Sequence, residues 1–242
     1  MTTRKTVSDS PKQLAKFSKS LIWGLSISVL LLAIFAKLSV DLHYHGLGTF
    51  DKVVGELIRG FATPSLTRVA IVITNLGSAY IEIGLMFVVG AFLLFRLKHI
   101  WETVLLAISL SGAWLLNTIL KELFQRARPD IVHLVKAGGY SFPSGHAMVA
   151  ASFYGVIGYL LWLNLRSRSK PSWYIVVFTF MFIMAIGISR IYLGVHFASD
   201  VIAGYTVGGV WAIACIVGLK EIRNYKSNKP ALSNCVDSEK KI

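Results

Sequence analysis

Carboxylates are scarce in this chain. Twelve Asp and Glu stand against 25 Lys and Arg in 242 residues, a formal net charge of +13. They are also scattered. No H-E-x-x-H pattern and no acidic cluster occurs, so neither a metal nor any other cofactor is expected. Cysteine is scarcer still: Cys215 lies inside an apolar run and Cys235 in a polar tail, which argues against a disulfide and against thiolate metal ligands. A cleavable leader is not evident either. The first apolar run begins at Leu21, lacks a small-residue cleavage pattern after it, and reads as a retained anchor. We find no internal repeat.

Apolar residues are abundant. They make up 55% of the chain, and the mean hydropathy is +0.62. Several runs approach the roughly 20 residues that a helix needs to cross a bilayer. Six spans are expected: Leu21 to Val40, Ala79 to Phe95, Trp101 to Leu120, Ala147 to Leu165, Trp173 to Ile188 and Val201 to Leu219. The expected fold is an all-α integral membrane bundle of six transmembrane helices, residues 21–219. It is flanked by a basic N-terminal tail (1–20) and a basic, disordered C-terminal tail (220–242).

Between the first two spans, Phe50, Val53, Val54, Leu57, Ile58 and Phe61 recur at helical spacing, with Asp51, Lys52, Glu56 and Arg59 on the other face. This predicts an amphipathic helix, either lying on the membrane surface or packed on the bundle. A short apolar helix, Pro64 to Leu76, follows and breaks at Gly77-Ser78.

A strongly basic chain raises the question of nucleic acid. Here the cations sit at the termini and in short loops, which suits anionic lipids and orientation control instead. Neither nucleic acid nor an obligate protein partner is indicated. An even number of spans puts both termini on one side. The termini and the loops 96–100 and 166–172 carry 16 Lys/Arg; the segments 41–78, 121–146 and 189–200 carry eight. The first set is expected in the cytoplasm, as in a bacterial inner membrane, and the second outside.

Three polar stretches converge on that outer face. Lys121 and Arg128 are seven residues apart, a spacing that lets one helical face present both cations. In Pro143-Ser144-Gly145-His146, Ser144 is a good N-cap, Gly145 lets a ligand reach the backbone, and the free amides of the helix start attract an anion. In Ser189 to Asp200, Arg190 adds a third cation. His196 and Asp200 are four apart, so the carboxylate can hold the imidazole tautomer. Ionisable groups at membrane depth are costly and usually functional. Cations and amides without a carboxylate cluster describe a phosphate site.

Lys121-x6-Arg128-Pro129, Pro143-Ser144-Gly145-His146 and Ser189-Arg190-x5-His196-x3-Asp200 resemble the three-part signature of the type-2 phosphatidic acid phosphatase family, which shares its active site with vanadium haloperoxidases. The resemblance implies a metal-independent phosphatase of lipid phosphates. It implies His196 as nucleophile through a phosphohistidine, Asp200 as its orienting partner and His146 as general acid and base. It also implies Lys121, Arg128, Arg190, Ser144 and Gly145 as ligands of the phosphate. Phosphatidylglycerophosphate, undecaprenyl pyrophosphate, phosphatidic acid and lipid A are the candidate substrates. The alternative is a lipid-phosphate binding protein or transporter, which would need neither nucleophile nor acid. A soluble haloperoxidase is at odds with six spans. Among the remaining polar residues, Asn117 is read as packing, Glu82 as an interfacial carboxylate or a partner of a site cation, and Tyr140, Ser141 and Tyr192 as headgroup contacts.

Overall fold

A computed structural model describes residues 10–44, 46–167 and 171–239. The first nine residues of the expected N-terminal tail, the centre of the 166–172 loop and the last three residues lie outside the described set. The helices are α1 (Ser10–His43), α2 (Gly48–Arg59), α3 (Pro64–Leu76), α4 (Ala79–Arg96), α5 (Ile100–Phe124), α6 (Gly145–Ser167), α7 (Trp173–Tyr192) and α8 (Ala198–Glu239). No strand occurs among the described residues. Six helices are long and apolar enough to cross a membrane, and they match the six expected spans. Their ends run beyond the apolar runs. Helix α1 begins ten residues before the expected tail ends. Helix α8 passes Leu219 and continues to Glu239, where a disordered tail was expected. No Gly or Pro interrupts residues 220–229, and Pro230 lies within the helix that continues to Glu239.

Successive spans alternate in direction. The end of α5, the start of α6, the end of α7 and the start of α8 therefore meet at one end of the bundle. Helices α2 and α3 connect spans α1 and α4 at that same end. The chain turns by 116° between them. Thr63 accepts a hydrogen bond from the Leu66 amide (3.2 Å) and Pro64 occupies the first turn, a standard helix start.

Helix α2 packs on the bundle by one edge of its apolar stripe and leaves the other edge exposed. Val54 and Ile58 pack on Ile191, Ala198 and Val201 of the bundle, while Phe50, Val53, Leu57 and Phe61 stay exposed. Asp51, assigned by helical spacing to the solvated face, is instead buried. Its burial follows from a partner on a distant segment, described below, which helical periodicity cannot register.

The close approach of α6 and α8 positions the site. Gly204 and Gly208 form a G-x-x-x-G step on α8. A Cβ on Gly204 would lie 2.6 Å from the Ser144 carbonyl oxygen, and one on Gly208 would lie 2.9 Å from the Ala151 side chain. The absent side chains let the two backbones touch, and the Ser144 amide donates to the Asp200 carbonyl (2.9 Å). Towards the C-terminal end of α1, Phe35 stacks on Phe142 (5.9 Å between ring centroids), and Phe124 meets Phe142 edge-on at 4.9 Å. These rings brace the turn that precedes α6.

Candidate active site

The sequence expects Lys121 and Arg128 on one helical face, but α5 stops before Arg128. Gln125 caps it in the left-handed region (φ 46°) and turns the chain aside. The two cations still meet, within electrostatic reach of one another and of Arg190. A chain reversal brings them together where helical periodicity was expected to do so.

His196 and Asp200 also come together differently from the expectation. His196 precedes α8, so the two are not partners on one turn. Asp200 is the third residue of α8 and reaches back to accept from the Phe197 amide (2.9 Å), one half of a capping box. That contact leaves Oδ2 3.4 Å from His196 Nδ1. Ser141 donates to the same oxygen. Ser141 was expected at the headgroup. It is fully buried, because the chain before Pro143 folds under α8.

The other face of the imidazole defines the chemistry. His196 Nε2 lies 3.3 Å from Arg128 Nη1. A guanidinium can only donate, so Nε2 must present its lone pair and the proton must sit on Nδ1, towards Asp200. Burial pushes the His196 pKa down to about 4. Asp200 opposes that shift, while Arg190 and Arg128 add to it. At neutral pH the side chain is a neutral imidazole with the lone pair of Nε2 turned towards the cations.

Those cations differ in availability. Arg128 directs donors to four backbone carbonyls, Val195 (2.6 Å), Gly138 (2.7 Å), Gly139 (3.0 Å) and Tyr140 (3.4 Å), besides the imidazole. A phosphate would have to displace its longer contacts. Arg190 is buried and gives Nη1 to Thr74 (2.8 Å), but its Nε has no hydrogen-bond partner among the described residues. The Ser144 hydroxyl is likewise buried and unpartnered. Ser144 occupies the N-cap position with extended backbone, yet its side chain does not cap the helix as expected. The first helical bond of α6 is Met148 N to Ser144 O (3.0 Å), which leaves the Gly145 and His146 amides without helical partners. Buried donors left unpaired are costly, and here they cluster beside three cations.

His146 lies within electrostatic reach of Arg190, His196, Lys121 and Arg128. Gly77, expected only to break a helix, makes room for it: a Cβ there would lie 3.4 Å from His146 Cδ2 and 2.7 Å from Ile186. Asn117 holds the Pro143 carbonyl (3.2 Å) and its Oδ1 sits against Gly145, so it shapes the anion-facing turn. Tyr192 is buried and bonded to Thr67 (2.8 Å), away from the expected headgroup contact. Glu82 is buried with Trp114 on one oxygen (3.4 Å) and has no ion pair among the described residues. All eight expected site residues thus lie at one end of the bundle. Sequence reasoning missed Thr74, Arg126 and Asp51 as site residues and gave Ser141 a headgroup role in place of its contact with Asp200. Arg126 and Ser141 are polar residues within or beside a motif; Asp51 and Thr74 lie far from any motif in the sequence.

Fold and site define a class: a multi-pass membrane protein with a neutral, buried histidine facing a cluster of cations at the bundle end. The sequence profile described as the PAP2 superfamily matches residues 102–223. Phosphatidylglycerophosphatase B of Bacillus subtilis is 35% identical over 74% of this chain and 88% of its own length. Undecaprenyl-diphosphatase of Sulfolobus acidocaldarius is 28% identical over 77% of this chain and 85% of its own. A crystal structure of a transmembrane PAP2 type phosphatidylglycerolphosphate phosphatase from Bacillus subtilis superposes with a TM-score of 0.75. It has 33% identity and covers 80% of this chain and 96% of that one. The chain belongs to the PAP2 superfamily, and it is a membrane lipid phosphatase of the PAP2 type.

Proposed function

We propose that this chain dephosphorylates phosphatidylglycerophosphate at the extracytoplasmic face of a membrane, through a phosphohistidine on His196. The observation that carries this reading is the His196 tautomer. Its Nδ1 faces Asp200 and its Nε2 faces cations. In the first step Nε2 forms a bond to phosphorus as the bond from phosphorus to the lipid oxygen breaks. His146 gives that oxygen its proton. In the second step a water attacks phosphorus, His146 takes the water's proton, the N–P bond breaks and phosphate leaves. Asp200 offsets the positive charge that His196 acquires. Lys121, Arg190, the Ser144 hydroxyl and the Gly145 amide hold the phosphate oxygens, with Arg128 joining by exchange of its long contacts.

The substrate assignment leans on the 35% identical relative, whose name specifies phosphatidylglycerophosphate. Undecaprenyl diphosphate is the second reading, favoured by the archaeal relative's name. Release of phosphate by purified protein from these two lipids, phosphatidic acid and lipid A, with EDTA present, tests both. Turnover of phosphatidylglycerophosphate that survives chelation is expected. Loss on chelation with recovery on added Mg²⁺ would overturn the metal-free mechanism.

Orientation follows from the 16-to-8 charge split. Val132, 82% exposed on the loop before α6, and Ser167, at the opposite end of that span, are the test positions. In a variant without Cys215 and Cys235, Val132→Cys should react with an impermeant thiol reagent in intact cells. Ser167→Cys should not. The reverse pattern would put the site in the cytoplasm.

A further inference from the structure

We infer that Arg126 and Asp51 are a positioning pair for the His196–Asp200 couple, which makes helix α2 a working part of the active site. The inference rests on the phosphohistidine reading above.

Arg126 lies just beyond the left-handed turn at Gln125 and two residues before Arg128. Its guanidinium sits 4.0 Å above the Phe197 ring. Nη1 donates to Asp200 Oδ1 at 2.5 Å and to Ser199 Oγ at 2.8 Å. Nη2 donates to Asp51 Oδ2 at 2.7 Å. Asp51 also accepts from the Ser199 amide (2.8 Å) and hydroxyl (2.7 Å). The side chains of Asp51, Asp200 and Arg126 are 2%, 0% and 13% exposed.

A strut between α2 and α8 would need only the Asp51–Ser199 bonds. Burying two further charges, on Arg126 and Asp200, costs free energy that a simple strut does not require. Two consequences for the site account for the arrangement. First, Arg126 occupies Asp200 Oδ1 and fixes the carboxylate plane, which leaves Oδ2 to His196 Nδ1, Ser141 and the Phe197 amide. Second, the charges balance only with Asp51 present. Arg126 cancels the charge of Asp200, and Asp51 restores one negative charge to the cluster. The cation that His196 becomes on attacking phosphorus then meets a net anion. This matters because the other charges that act on His196 directly are cationic, and the carboxylates of Glu56 and Asp130, which line the same cavity, are exposed to water. Arg128 faces it from the 125–144 loop, Arg190 from α7 and His146 from α6, while Lys121 of α5 lies within reach of Asp200. Among the described residues, the side-chain hydrogen bonds of Arg126 and Asp51 run to Ser199, Asp200 and each other, so the pair acts through Asp200.

The test is the pH dependence of kcat and KM for full-length protein in detergent with phosphatidylglycerophosphate, for wild type, Asp51→Asn, Arg126→Gln, Arg126→Lys and Glu56→Gln. Asp51→Asn removes a negative charge and should lower kcat about tenfold or more, with KM changed less than about twofold. The acid limb of its kcat/KM profile should move to lower pH, because the imidazolium is harder to form. Arg126→Gln removes a positive charge, so its acid limb should move to higher pH. Arg126→Lys should return the limb towards wild type. Glu56→Gln, on the same helix and exposed, should match wild type. A merely structural pair would not shift the limb in opposite directions. Shifts of one sign, no shift, or a loss confined to KM would overturn the inference. If Arg126→Gln does not fold, an unmoved limb in Asp51→Asn overturns it alone. Wild type that releases no phosphate from any of the four lipids would overturn the function reading and this inference with it. An active wild type with an unaltered Asp51→Asn profile overturns only the inference.

Discussion

The two ends of the bundle handle charge in opposite ways. At the site end, Arg190, His196, Asp200 and Asp51 are buried, and each is held by hydrogen bonds from a different segment. At the other end, cations stay near water. Arg166 lies over Trp162 at 5.0 Å and Lys220 over Tyr159 at 5.9 Å, while Arg223, 41% exposed, pairs with Glu102. Exposed cations of this kind stabilise little and instead report orientation and lipid contact. Buried charges are expensive; the other end also buries one, Glu102, paired with the half-exposed Arg223, whereas the site end gathers several. Composition alone cannot separate the two ends, because both are basic.

The sharpest way to break this contrast is His196→Ala, which should abolish turnover. Acid-quenched protein exposed to ³²P-labelled substrate should then trap no label. His146→Ala should slow turnover by about 10²–10⁴-fold, the usual range for a lost general acid. The loss should shrink with p-nitrophenyl phosphate, whose leaving group needs no proton. Equal impairment on both substrates would take the acid role from His146.

The third effect is on packing, and it compares two glycines of one helix. Gly204→Ala forces a methyl group against the Ser144 carbonyl at the site end, whereas Gly218 has no atom within 4 Å of an added Cβ. Overpacking of the first kind costs about 1–3 kcal/mol. Thermal unfolding in detergent should show a lower midpoint for Gly204→Ala and an unchanged one for Gly218→Ala.

The fourth effect is on pH. The folded-state pKa of His196 is depressed to about 4 from an ordinary 6.5. Between those values the unfolded chain binds more protons than the folded one. Stability should therefore be fully present above pH 6.5 and fall as pH drops through this window to 4, by at most about 1.4 kcal/mol per pH unit from this one group. His196→Asn should flatten that part of the profile in chemical denaturation. The smallest expected effect is at the other end. Arg166→Gln should change stability by less than about 1 kcal/mol. A larger loss would mean that the exposed end is also built on specific charge contacts.

How much of the site was legible depends on whether a contact is local. Pro143 to His146 sits where the sequence put it, at the start of a span, because an apolar run and a turn specify that locally. The spacing of His196 and Asp200 correctly signalled a pair, although a capping contact makes it rather than a shared turn. Lys121 and Arg128 were matched for the wrong reason, since the left-handed turn at Gln125 has no strong signature. Asp51 was placed on the wrong face because helical periodicity sorts residues by polarity. It cannot know that Arg126, 75 positions away, supplies a buried partner.

By itself the sequence determined the number of spans, the end at which the motifs gather and a set of residue types that suits a phosphate. Hydropathy, charge placement and short motifs are properties of contiguous residues, and the bilayer imposes the rest by leaving backbone groups no partner but their own helix. Tertiary structure decided which nitrogen of His196 carries the proton and which donors at the site lack a partner among the described residues: Arg190 Nε and the Ser144 hydroxyl, where the sequence offered a cap. It also decided that α2 reaches Asp200 through Arg126. Each of these depends on the distance between groups far apart in the chain, set by how closely α6 and α8 approach at Gly204 and Gly208 and by where the 125–144 loop folds back.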